Sequence, residues 1–258
     1  MQVQLELEQL PPHFSHSSLQ TYLGCSHSWY SYYILGVKSP PSDSLLIGQA
    51  YHHVLEELLR SLADEGILPE GTLSGLCAKH LEEVSNAAGV QPEKPQAILD
   101  MLEGLIYTYY KDVLPNSTPV DTELKFEIEV PKLDVPFVGI IDMIEEDGTL
   151  VDHKTAAKSW PVWKVDRDIQ ATAYIFGIWK LTGDIRPFRF DVAVKTSTPK
   201  IQVLKTTRTQ NQLEWYEELL VDTWSHIRQG MFIKNPTHMW CGERFCAAWP
   251  KCIGEWIA

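Results

Sequence analysis

The sequence has no surplus of basic residues. Lysine and arginine number 22 against 34 aspartates and glutamates, a formal charge of −12 over 258 residues. That excludes a basic coat over the whole surface, the usual basis of salt-driven nucleic-acid binding, but leaves room for a local positive groove. Long apolar runs are also missing. No stretch approaches the roughly 18 uncharged apolar residues that a membrane-spanning helix needs. Met1 to Phe14 holds Glu6 and Glu8 but no lysine or arginine, so it does not read as a secretory signal. Cysteines are few and odd in number: Cys25, Cys77, Cys241, Cys246 and Cys252. Without a signal peptide, that argues against a disulfide framework.

What is present is an ordinary globular balance, 44% hydrophobic and 22% charged, which excludes wholesale disorder. The length suits one large domain or two small ones. Nine tryptophans and ten tyrosines are many. Aromatics can stack on bases, but their default place is the core.

The first third reads as mostly helical. Ser15 to Leu35 suits a short helix pair, and Ser39 to Asp43 a loop. Gly48 to Leu62 is an amphipathic helix, followed by helical patches over Gly71 to Ala88 and Pro95 to Leu114. The pattern changes near Asp121. Glu123 to Val130 alternates with period two, as a half-buried strand does. Phe137 to Glu145 is apolar on both faces, and Thr149 to Lys154 returns after a turn at Glu146-Asp-Gly148. These three runs predict an antiparallel meander. A helix over Asp166 to Leu181, strands over Phe188 to Lys195 and Lys200 to Thr206, and a helix over Gln210 to Gln229 complete an α/β unit. We expect a single domain over 1–258: a helical part (1–120), a core (121–230) and a Cys-rich tail (231–258).

The sharpest feature sits on the second and third strands. Asp142 interrupts an apolar strand, and a buried carboxylate without a partner is costly. The next strand carries Asp152-His153-Lys154. Residues two apart share a strand face, so Asp152 and Lys154 point one way and His153 the other. If the hairpin pairs as read, Asp142 lies beside Asp152. Two adjacent carboxylates repel unless a cation joins them, and hard oxygen ligands suit Mg²⁺ or Mn²⁺. A lysine beside such an ion could orient attacking water and offset charge on a phosphate oxygen. A bare Asp-x-Lys is also what an ordinary strand-end ion pair looks like. Two further features favour chemistry. Gln170 and Tyr174 share a face of the following helix, and His52 on the early helix could be a nitrogen ligand. Taken singly, Tyr174 could be core and His52 a satisfied helix histidine.

In chain order, Gly48…His52, Glu123, Gly139-Ile-Ile-Asp142, Asp152-His-Lys154 and Gln170…Tyr174 resemble the PD-(D/E)XK nuclease superfamily, in its RecB-like branch. The resemblance spans roughly Ser17 to the C-terminus. It implies a restriction-endonuclease-like core, a central mixed sheet flanked by helices, with a helical N-terminal addition and a Cys-rich C-terminal tail. It further implies that His52, Asp142 and Asp152 bind the metal, that Lys154 serves the attacking water, and that Gln170 and Tyr174 position the site. Glu123 carries over as a further acidic site residue, with an exposed strand end as its alternative. The acid before x-Lys is aspartate here, where glutamate is more usual.

The tail adds Cys241, Cys246 and Cys252, spaced by four and five intervening residues. A four-thiolate site needs one more, and Cys25 is the candidate. It lies in Leu19-Gln-Thr-Tyr-Leu-Gly-Cys25, which resembles the corresponding segment of iron–sulfur nucleases in the same branch. That resemblance implies a [4Fe–4S] cluster stapling the two ends. The first tail spacing is wider than in some relatives, so Zn²⁺ stays open as the alternative, and plain buried thiols as the bland reading. Cys77 reads as a free thiol in a helix, and Trp240 and Trp249 as shields for the cluster.

Lys158, Lys164 and Arg167 follow the Asp-x-Lys strand. Lys195, Lys200, Lys205 and Arg208 gather on the next hairpin. Each set can track a phosphate backbone or simply face solvent. Trp160 and Trp163 can stack on bases or pack in the core. The expectation is a cytoplasmic, metal-dependent deoxyribonuclease in a bacterial or phage-infected cell. It would be an exonuclease on single-stranded DNA or duplex ends, serving replication, recombination or repair, with a helicase, recombinase or integrase as possible partner. The rivals are a non-catalytic iron–sulfur DNA-binding module, a CRISPR-type spacer-processing subunit and an RNA nuclease.

Overall fold

The computed structural model describes residues 6–254, and its centre is a six-stranded mixed sheet. A two-residue strand, β1 (Phe14–Ser15), leads straight into the first helix, where Ser15 accepts a hydrogen bond from Ser18 N as cap. Helices α1 (His16–Gly24) and α2 (Ser26–Tyr33) form the expected pair. α3 (Asp43–Asp64) is capped by Ser42 and buries Leu46, Ala50, Val54 and Leu58 along one stripe. α4 (Leu73–Ala88) stops at Gly89, whose φ of 64° suits glycine. α5 (Pro95–Asp112) begins on a proline, where no backbone N–H is needed.

The strands are β2 (Pro119–Ile128), β3 (Phe137–Glu145), β4 (Leu150–Ala156), β5 (Phe188–Val194) and β6 (Lys200–Thr206). Between β4 and β5 run α6 (Val162–Arg167) and α7 (Ile169–Thr182), and α8 (Gln210–Arg228) follows β6. A strand has two edges, and those of β3 are used unequally. β2 runs antiparallel along the whole of one edge, from Pro119 opposite Glu145 to Ile128 opposite Phe137. The other edge is shared. β1 pairs in parallel with Phe137 and Val138, while β4 pairs antiparallel with Met143 and Ile144 alone. From 139 to 142 that edge is open, and the sheet splits there. β4 then runs parallel to β5, and β5 antiparallel to β6.

Helices cover both faces. One core joins α1, α2, α7 and α8 to the sheet through Trp29, Phe137, Phe176, Phe190 and Trp224. The other joins α3, α4 and α5 through Tyr51, Leu55, Leu102, Tyr109 and Val151. This is the α/β architecture expected, a mixed sheet flanked by helices.

Three local expectations are corrected. β1 takes Ser15, the first residue expected of the helix pair, into a strand; two residues are too few for a periodic pattern. The single helix over 166–181 is two helices, because Asp168 leaves the helical backbone and caps α7 by accepting from Gln170 N. β2 begins at Pro119, ahead of the alternating run, with Glu123 at a φ of 55°. After α8 the chain folds back onto α1 and α2. Tyr22 Oη donates to Met231 O at 2.6 Å, Ser26 Oγ accepts from Ile233 N at 2.7 Å, and Asn235 Nδ2 donates to Gly24 O at 2.8 Å. Among the described residues no helix is long and apolar enough to cross a membrane.

Candidate active site

The split between β3 and β4 gathers the residues singled out in the sequence. The register Met143–Val151 sets Asp142 across from Asp152 at the point where the ladder opens. Asp152 is 1% exposed. Its Oδ1 accepts from Gln170 Nε2 at 2.7 Å, and Gln170 Nε2 also reaches Tyr174 Oη at 3.1 Å. Lys154 Nζ lies 2.5 Å from Asp152 Oδ2. That ammonium is the partner of Oδ2, as Gln170 is of Oδ1. On the α3 side, His52 Nδ1 is 3.4 Å from Asp142 Oδ2. The same oxygen accepts from His153 N at 2.6 Å. Gly48 brings α3 close to β4, since a Cβ there would sit 3.5 Å from Thr155 Oγ1.

The charges divide unevenly. Burial raises both aspartates, but at Asp142 the facing His52, with His153 and Lys154, together outweigh it and hold that carboxyl below the usual range. Asp152 is pushed up, by burial first and then, against the pull of Lys154, by Asp142. His52 is raised despite burial, because Asp142 faces it. Lys154 is likewise raised against its burial by Asp152 and Asp142. Glu123, half-buried at a left-handed φ, has its carboxyl lifted to about 7 by burial first, then by Asp142 and Glu56. Such a site is short of positive charge. Two buried carboxylates and an imidazole are a hard-oxygen and nitrogen donor set that suits Mg²⁺ or Mn²⁺. Among the described residues no three such side chains are drawn tightly enough together to hold an ion as they stand.

Of the basic residues, Lys158 and Arg167 are exposed. Arg167 lies over the ring of Trp163, itself 61% exposed, while Lys164 Nζ sits 3.1 Å from the ring centre of Trp160. Trp160 is half-buried and packs on Phe190 against the core. Lys195 Nζ is bonded to Ser44 Oγ at 2.6 Å and reaches Thr155 Oγ1 at 3.5 Å. Arg208 is buried and spends its donors on Val165 O, Asp168 O and Thr172 Oγ1. It holds the α6–α7 break and does not face a phosphate path.

A second gathering lies at the far end of α1. Cys25, Cys241, Cys246 and Cys252 line one cavity of about 440 Å³ with Trp240 and Trp249. Burial raises the Cys252 thiol, and the three other thiols of this set raise it further. Cys77 lies apart, buried in α4, its thiol pushed up to about 12 chiefly by burial.

The family model of the PD-(D/E)XK nuclease superfamily matches residues 13–253. The chain belongs to the PD-(D/E)XK nuclease superfamily. Among solved structures it is similar to a candidate exonuclease from Eubacterium rectale, with a TM-score of 0.56 and 14% identity over 91% of each chain. The protein SSO0001 aligns at a TM-score of 0.34 and 13% identity, over 84% of this chain and 85% of that one, too loosely to bear on the reading. No curated protein matches. The shared fold explains why the motifs of this PD-(D/E)XK chain meet where β3 and β4 part.

Reasoning from the sequence missed the polar residues behind this PD-(D/E)XK site. His153 is 1% exposed on the α5 face, where its Nε2 meets Tyr109 Oη at 3.2 Å. Arg189 and Asp191 lie beside it. The signal was available: two charges at alternate positions of the otherwise apolar run Phe188-Arg-Phe-Asp-Val.

Proposed function

We propose that this chain is a metal-dependent DNA nuclease, an exonuclease acting on single-stranded DNA or duplex ends. The observation that carries the reading is the pair Asp142 and Asp152, opposed at the sheet split with Lys154 and Gln170 on Asp152. A binding module has no need of two buried carboxylates that repel the phosphate backbone.

His52, Asp142 and Asp152 would hold a divalent cation, which supplies Lewis acidity and a nucleophilic water at neutral pH. Gln170 fixes one oxygen of Asp152 and is itself steadied by Tyr174. The Lys154 ammonium, kept protonated by two carboxylates, orients water and offsets charge growing on a non-bridging phosphate oxygen. Glu123 adds a carboxyl that can take or give a proton near neutrality. Lys158, Lys164, Arg167 and Lys195 would guide the strand, and exposed Trp163 offers a stacking face. Cys25, Cys241, Cys246 and Cys252 would hold a [4Fe–4S] cluster, or Zn²⁺ in its place, and staple the tail to α1 in one domain over the chain. A cytoplasmic role in replication, recombination or repair, with a helicase, recombinase or integrase partner, fits this chemistry.

The test is cleavage of end-labelled single- and double-stranded DNA and RNA with Mn²⁺, Mg²⁺ or EDTA, comparing wild type with Asp152→Ala. Metal-dependent DNA cleavage that falls at least ~100-fold in the variant is expected. An inactive wild-type protein that binds DNA would shift the reading to a binding module.

A further inference from the structure

We propose that Trp163, on the outer side of α6, selects an unpaired strand: its indole stacks on one base of single-stranded DNA beside the cleft. The inference rests on the nucleic-acid reading above and fixes which of the two substrate forms, single strand or duplex end, the chain is built for.

Six residues are too few to hold a helix by themselves, yet α6 is fixed at both ends. Before it, Gln202 on β6 grips the main chain of Trp160. Its Oε1 accepts from Trp160 N at 2.7 Å, and its Nε2 donates to Trp160 O at 3.2 Å. At the other end, Arg208 Nη2 donates to Val165 O at 3.0 Å and to Asp168 O at 2.8 Å. Thr206 Oγ1 donates to Asp166 Oδ1 at 2.9 Å, and Val165 is 0% exposed. Val162 and Trp163 take no part in this anchorage. They are neighbours in sequence, 69% and 61% exposed. Adjacent large apolar side chains left outside a helix held this firmly mark an interaction site.

The charge around them indicates the partner. From 157 to 167 the chain carries Lys158, Lys164 and Arg167 against one carboxylate, Asp166, in a protein of net charge −12. Asp166 is engaged by Thr206, while Lys158 and Arg167 face solvent. Arg167 stands four residues beyond Trp163 on the same helix face, its guanidinium 5.6 Å from the centre of the indole ring. A polyanion that carries flat bases uses both the indole and the cations. An apolar protein surface would use the indole and leave the cations without a partner.

The position of α6 ties this face to the cleft. Burial lowers the Lys164 pKa, Asp168 opposes that, and the Lys154 ammonium adds to the lowering, so α6 lies within the field of the site lysine. Asp168, which ends α6, caps α7 by accepting from Gln170 N at 2.9 Å, and Gln170 holds Asp152. A base seated on Trp163 is therefore held by the same frame that holds Asp152. An unpaired strand can turn any base onto the indole. A duplex keeps its bases stacked and offers only the outer face of its last pair.

The test is equilibrium binding of the full chain, without added divalent metal, to three fluorescently labelled ligands: a single strand, the same strand made abasic, and the blunt duplex. Wild type, Trp163→Ala and Trp163→Phe are compared. Trp163→Ala should weaken single-strand binding about 10-fold, the effect of one lost stack, and Trp163→Phe should stay within about 3-fold of wild type. Binding of the abasic strand and of the duplex should change by less than about 2-fold in either variant. In Mn²⁺ the ratio of kcat/KM on single strand to that on duplex should fall about 10-fold in Trp163→Ala, through KM, with Tm unchanged. An equal loss on all three ligands makes Trp163 a general contact and overturns the proposal. Unchanged binding in Trp163→Ala overturns it too, and leaves the apolar face to a protein partner. A wild type that binds the single strand through Trp163 but cleaves nothing in Mn²⁺ or Mg²⁺ supports the stacking assignment and overturns the nuclease reading.

Discussion

At the residue scale, His16 shows what the fold demands of one buried side chain. It opens α1 where β1 leaves the edge of β3, and it is 6% exposed with Nδ1 lacking a partner. Burial first, and then the Lys154 ammonium, lower its pKa from 6.5 to about 3. The folded chain therefore refuses a proton that the unfolded chain accepts. Stability from this group is complete above pH 6.5 and drains away as the pH falls towards 3. The rate is about 1.4 kcal/mol per pH unit within that window. Urea denaturation at pH 7 and pH 5 should show wild type losing more stability than His16→Phe does. Equal losses in the two proteins would clear His16 of this role. This was not legible beforehand, because the histidine stands in a polar run and only the fold brings Lys154 near. Asp142, Asp152 and Lys154 were legible for the opposite reason: charge inside an apolar strand has few explanations.

At the scale of elements, the glycine of Gly139-Ile-Ile-Asp142 has a packing reason. Phe126 on β2 lies across from Gly139 on β3, and Gly177 on α7 meets the same ring. A Cβ on Gly139 would stand 2.4 Å from Phe126 Cζ, and one on Gly177 2.4 Å from its Cε2. The ring is 2% exposed and has little room to retreat. Gly139→Ala should cost about 1–3 kcal/mol in chemical denaturation. Gly177→Ala should cost less, since alanine returns up to about 1 kcal/mol in a helix. Adding Phe126→Leu should recover part of the Gly139→Ala loss, a coupling absent if the glycine serves the backbone alone. Helix and strand types were readable here because apolar spacing is a local property. The α6–α7 break was not, because Arg208 stabilises it from forty residues away through the carbonyls of Val165 and Asp168. The split of β3 between β1 and β4 was equally hidden, since pairing partners are not written in a strand's own periodicity.

At the scale of the whole molecule, the two ends are tied by more than the proposed cluster. Phe232 stacks on Trp29 with centroids 5.8 Å apart and on Tyr30 at 4.7 Å. These rings and the hydrogen bonds from Tyr22, Ser26 and Asn235 join segments over 200 residues apart. The tail should thus stay docked without metal, but less firmly. A group bound by the four thiols adds stability only while it is bound, in proportion to its affinity for the folded form. Cys246→Ser is the informative change, since Cys246 lines the cavity and its thiol adds to the repulsion felt by Cys241. The variant should lose bound iron or zinc by elemental analysis and about 2 kcal/mol of stability, or roughly 4–8 °C in Tm. Limited proteolysis should then cut within 231–254 first and leave the sheet intact, because the catalytic residues draw their support from β3, β4, α3 and α7. Wild-type protein purified without oxygen that carries neither metal, and a Cys246→Ser variant with an unchanged Tm, would leave the cavity as a cluster of plain thiols and place the whole of the closure in the aromatic contacts.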